Sequence, residues 1–170
     1  MLFRSQDDKQ NFSRFYPRRL TAEVLLDSIN GLTSSQTRFQ GMPASTRAVQ
    51  LPDNAFDSYF LTVFGRPNAA SACECERSSD VNLAQCLHLL NSEEVQKKVS
   101  GARAQQMAED RRDLEERIRD LYLVAFSREP TADEQTVAVT YIRDRKDETK
   151  KAFEDVLWAL MNTKEFIFNH

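Results

Sequence analysis

The chain has 170 residues, an apolar fraction of 41% with eleven Phe, and a net charge of −3 from 23 basic and 26 acidic side chains. That balance lacks the basic footprint of a nucleic-acid binder, and no apolar run approaches the roughly 18 residues of a membrane span. Four Gly and five Pro are too few for a many-turned all-β fold, so the expected class is mainly α: an irregular, loop-rich N-terminal half packed on a bundle of about four or five helices.

Residues 1–16 are polar, with Phe3, Phe12, Phe15 and Tyr16 scattered without a period. They read as an arm ahead of a single α-helical domain over 17–170, and the start carries no apolar signal core. Arg18-Arg19 reads as a solvated flank or a partner for nearby carboxylates. Thr21 is placed to cap a first helix, with Glu23 near its positive end. Val24, Leu25, Ile29 and Leu32 form its apolar face, and Gly31 sits where a left-handed C-terminal residue belongs.

Residues 33–58 are loop-like, broken at Gly41-Met42-Pro43 and Leu51-Pro52-Asp53-Asn54, with Ala48–Leu51 as a short extended piece. So long a loop serves either binding or cover for the core. Asp53, Asp57 and Tyr59 are its one cluster of carboxylates beside an aromatic, the combination a carbohydrate site needs. The run Tyr59–Phe64 fits a strand or one buried helical turn, and Gly65-Arg66-Pro67 ends it.

Ser79 or Asp80 opens a helix to about Asn91, with Leu83, Cys86, Leu87 and Leu90 at i, i+3, i+4, i+7. Ser92 opens the next, through Val95 and Val99 to Gly101. The longest helix is expected over Arg103–Phe126, its stripe being Leu114, Ile118, Leu121, Tyr122 and Ala125. Its mixed-sign stretch Glu109–Asp120 reads as a solvated face. The end, Leu121–Phe126, is apolar all round and therefore reads as buried. Thr131 and Glu134 make a capping box after Pro130. The helix that follows should turn Val137, Ala138, Tyr141 and Ile142 inward. A last helix carries Phe153, Val156, Leu157, Leu160 and Met161 on one stripe with Trp158 beside it, and Phe166 and Phe168 cover the bundle's end.

All three cysteines and one of two histidines fall in the turn and helix from Cys73 to Asn91. Three readings compete for them. A metal site would draw on Cys73, Cys75, Cys86 and His88, but Cys86 and His88 are about 200° apart on a helix and cannot both face one ion. A disulfide could join Cys73 or Cys75 to a third thiol or to another chain, while Cys73 with Cys75 would close a strained ring. The preferred reading is structural: Cys86 is a small core residue, and Glu74, Glu76 and Arg77 form caps and ion pairs around the turn. Cys75 beside two carboxylates has its thiolate disfavoured, which opposes nucleophilic catalysis.

Several segments carry a likeness in order along the chain. They are Arg18-Arg-Leu-Thr-Ala-Glu23, Phe64-Gly-Arg-Pro67, Cys73-Glu-Cys-Glu-Arg77, Leu83–Asn91, Arg128-Glu-Pro-Thr131 and Leu157-Trp-Ala-Leu-Met-Asn-Thr-Lys-Glu-Phe166. From about Tyr16 onward the sequence resembles the C-terminal domain of unknown function in large planctomycete-type proteins that often also carry a cytochrome c-like domain. The resemblance implies the tail of a longer exported polypeptide. Position 86 is Cys where similar sequences tend to have Ala, no haem-attachment Cys-x-x-Cys-His is present, and no catalytic residue carries over.

The expected function is a non-catalytic scaffold or interaction domain, with other domains of a parent protein or protein partners as its contacts and no cofactor implied. The alternative is an enzyme-associated module in polysaccharide degradation or redox chemistry, coupled to a cytochrome-like domain.

Overall fold

The computed structural model describes residues 18–52, 56–66, 85 and 92–169. Over these residues the fold is mainly α, an irregular N-terminal half lying against a helical bundle. In chain order come β1 (Arg18–Arg19), α1 (Ala22–Thr33), a 3-10 turn at Ala48–Gln50, α2 (Tyr59–Val63), α3 (Glu93–Val99) and α4 (Ala102–Glu109). Then follow α5 (Leu114–Phe126), α6 (Ala132–Asp144), a 3-10 turn at Lys146–Glu148, α7 (Thr149–Met161), α8 (Lys164–Ile167) and β2 (Phe168–Asn169).

Helix α1 is the hub, in contact with the first 3-10 turn and with α2, α3, α4, α5 and α7. Its Leu25, Leu26, Ile29 and Leu32 are fully buried, whereas Val24 is exposed. Leu25, Ile29 and Leu32 lie at i, i+4, i+7, and Leu26 fills the flank that Val24 was expected to fill. The helix runs past Gly31 and ends at Ser34, whose φ of 52° closes it in the left-handed region. An Asn30–Thr37 hydrogen bond and the Thr33–Ser35 hydroxyl pair hold the chain there, so a polar network takes the place of the expected glycine cap.

The loop after α1 covers the core. Phe39 and Ala48 are buried, and the Asp27 carboxylate accepts the backbone N–H of Ala48 at 2.8 Å and of Val49 at 3.2 Å. Those donors belong to the 3-10 turn that stands where an extended piece was expected. The run Tyr59–Val63 is helical, capped by the Ser58 hydroxyl. Its Phe60 stacks on Phe64 with centroids 4.4 Å apart. Arg19 is no solvated flank: its Nη2 donates to the Phe64 carbonyl at 2.9 Å, and β1 pairs antiparallel with β2.

The long helix expected from Arg103 to Phe126 is two helices. Asp110 is extended at the end of α4, its carboxylate accepting the Arg112 N–H at 2.9 Å and the Arg112 guanidinium. Such a short polar side chain offers the backbone an alternative to the helical ladder. The break lets α4 lie along α7 while α5 crosses toward α6 and α8. The end of α5 is not buried all round, because Leu123 and Val124 face outward. Among the described residues no helix is long and apolar enough to cross a membrane.

Candidate functional site

Helices α6 and α7 are joined by the short turn at Lys146–Glu148, a link that makes antiparallel neighbours. The Thr131–Glu134 capping box starts α6 as expected: Thr131 Oγ1 accepts the Glu134 N–H at 3.3 Å, and Glu134 Oε2 accepts the Thr131 N–H at 2.8 Å. Inward on α6 stand Val139 and Ile142. Val137 lies two residues before Val139, about 200° around the axis, and is 70% exposed. The expectation that Val137 faces the core is therefore corrected: it lines an open groove.

That groove has a volume of about 920 Å³ and runs between α6 and α7. Val137 and Ala138 wall one side, and Val156, Trp158 and Leu160 wall the other. Each end is polar. At one end Arg128 bridges Glu134 at 2.9 Å and Glu165 at 2.6 Å, above the rings of Tyr122 and Phe126. Hydrogen bonds from Arg128 come first among the causes that hold the Glu134 carboxyl down, at about 2. Burial in the same corner pushes the Tyr122 phenol up.

At the other end Tyr141 Oη donates to Asp155 Oδ2 at 2.6 Å, and Arg145 Nη1 donates to the same oxygen at 2.9 Å. The Arg145 guanidinium also lies 4.4 Å from the Tyr141 ring centroid. Donation to Asp155 raises the Tyr141 pKa, so its proton is held and not offered. The carboxylates Glu134 and Asp155 are thus engaged by this chain's own donors. The arrangement is an apolar slot whose polar ends are held by these bonds.

A smaller polar cavity of about 320 Å³ lies between α1 and its following loop, lined by Asp27, Asn30, Ser35, Thr37 and Arg47 among others. Behind it Lys98, 8% exposed, donates from Nζ to Asn30 Oδ1 at 2.7 Å and to Thr37 Oγ1 at 2.8 Å. Burial lowers the Lys98 pKa, opposed by the charge of Glu94. This network staples α3 to α1 and to the loop.

Cys73, Glu74, Cys75, Glu76, Arg77, Cys86 and His88 lie outside the described residues, as does Asp53. Gln85 is described, buried in a helix with Nε2 donating to the Val63 carbonyl at 3.1 Å. Asp57 is exposed and Tyr59 is 69% exposed at the start of α2; neither lines the groove or the polar cavity. The Tyr141–Asp155–Arg145 cluster escaped the sequence reading, although Tyr141 and Arg145 stand four apart on one helix face. A bond between Arg128 and Glu165 spans 37 residues and has no local signal.

A family model described as PSD1, protein of unknown function (DUF1553), matches residues 2–142. No curated protein and no solved structure matches the chain.

Proposed function

We propose, for a chain that belongs to the PSD1 (DUF1553) family of proteins of unknown function, a non-catalytic interaction domain whose binding face is the α6–α7 groove. The observation that carries this reading is an open apolar slot whose end carboxylates, Glu134 and Asp155, are already bonded to Arg128, Thr131, Tyr141 and Arg145. Acid–base or nucleophilic chemistry needs an available group set beside a partner that tunes it. The two charges of the lining left unengaged among the described residues, Asp133 and Lys151, stand at opposite ends of the groove, while recognition needs shaped apolar area with fixed polar ends.

The resemblance to planctomycete-type multidomain proteins supports placing this domain in a longer exported polypeptide, beside other domains such as a cytochrome c-like one. Hydrogen exchange compared between the isolated 170-residue chain and the full polypeptide tests the reading. Added protection over Ala132–Met161 in the full polypeptide is expected. Identical exchange there, together with turnover of a substrate by the isolated chain, would overturn it.

A further inference from the structure

The groove is electrically polarised along its length. Asp133 lines it at the α6 start and Lys151 lines it at the α7 start. Both side chains are exposed, and neither has a hydrogen-bond or ion-pair partner among the described residues. The other ionic groups of the lining are engaged: Glu134 by Arg128, and Asp155 by Arg145. What remains to meet a ligand is a carboxylate at one end, an ammonium at the other and an apolar floor between.

The separation of those ends is set by α6. From Asp133 to Asp144, its last residue, the helix advances about 16 Å over eleven residues at 1.5 Å each. That is the length of about three helical turns. A natural helix carries acids in its first turn and bases in its last, matching its macrodipole. Laid in the groove with its first turn at Lys151 and its last at Asp133, such a helix meets an opposite charge at each end. Its apolar stripe meets Val137, Val156 and Trp158.

We propose that the groove binds an amphipathic helix of about three turns from a protein segment outside this chain, seated parallel to α7. Its acidic first turn lies at Lys151 and its basic last turn at Asp133. This rests on the interaction reading above and names the partner's chemistry and polarity.

Trp158 is the chain's one tryptophan, so its emission reports occupancy when tryptophan-free peptides are added. Two peptides of about fourteen residues share one leucine stripe. One has Glu in its first turn and Lys in its last; the other reverses them. Each is titrated into the parent protein and into the double variant Asp133→Lys, Lys151→Glu, with circular dichroism confirming that both proteins are folded. The parent is expected to prefer the first peptide by roughly tenfold, and the double variant to invert that preference. Because the peptides' own helicities are the same in both titrations, inversion isolates the groove charges. An unchanged preference in the double variant would overturn the polarity while leaving the interaction reading standing. Failure of both peptides on both folded proteins would overturn both. Sedimentation showing the parent pairing with itself, with Trp158 emission shifting as it does so, would make a second copy the occupant and also overturn the proposal.

Discussion

Arg128 grips Glu165 through two parallel bonds, Nε to Oε1 at 2.6 Å and Nη2 to Oε2 at 2.7 Å, across 37 residues of chain. The same guanidinium holds both oxygens of Glu134 at 2.9 Å. One planar fork therefore ties the end of α5, the start of α6 and the start of α8. It also fixes the corner of the groove where Tyr122 and Glu134 stand.

Arg128→Met should cost about 1–3 kcal/mol in urea denaturation, since it leaves two partly buried carboxylates side by side. Arg128→Lys should recover less than half of that, because an ammonium cannot hold two carboxylates bidentately. By contrast Arg119→Met, which removes the solvent-facing pair with Glu129, should stay within about 0.5 kcal/mol. Equal losses at positions 128 and 119 would show that the fork contributes no more than a surface pair.

The fork has a pH signature. The Glu134 carboxyl is held down from an ordinary 4.5 to about 2. A folded value below the unfolded one stabilises fully above the unfolded pKa and is lost as pH falls toward the folded one. The stability gap between the parent and Glu134→Gln should be constant at neutral pH and shrink from about pH 5 down to about pH 2. A gap that ignores pH across that window would contradict the ion pair.

Capping gives a third expectation. Thr131 and Ser92 accept N–H bonds through their hydroxyls, so Thr131→Ala and Ser92→Ala should each cost about 1 kcal/mol. Thr21 occupies the same position on α1 but makes no side-chain cap bond, and Thr21→Ala should cost only a few tenths of a kcal/mol. A larger loss at Thr21 than at Thr131 in parallel denaturation curves would reverse this ordering.

Signals carried within one helical turn were readable from the sequence. The Thr131–Glu134 box, the Ser92 start and the Phe153–Met161 stripe stand where periodicity and capping chemistry put them, since each depends on neighbours three or four residues away. Errors came where tertiary packing chose among local options. Val137 and Val139 are both apolar, and only the position of α7 decides which faces the core. Asp110 could have been one more solvated acid in a long helix, but its carboxylate turned back onto the Arg112 N–H and split the helix. The groove depends on pairs such as Tyr141 with Asp155 and Arg128 with Glu165, whose partners no sequence spacing announces.

Lys98 supplies a fourth expectation. Lys98→Met keeps the apolar stem but strips a buried donor from Asn30 and Thr37, and should cost about 1–3 kcal/mol near neutral pH. Burial lowers this lysine's pKa, so the folded state releases its proton at lower pH than the unfolded chain does. As pH rises through that lowered value toward the ordinary 10.5, the parent should gain stability relative to Lys98→Met. A relative loss on the alkaline side would show that the ammonium is not desolvated.

An open binding face between α6 and α7 makes Val137 the decisive side chain. Val137→Lys places a charge on a side chain that is 70% exposed. Measured by urea denaturation and by the Trp158 emission change with the preferred amphipathic peptide, the variant should keep the parent's stability within about 0.5 kcal/mol and lose peptide binding. A loss of about 2 kcal/mol or more, or undiminished binding, would show that the slot is not an open binding face.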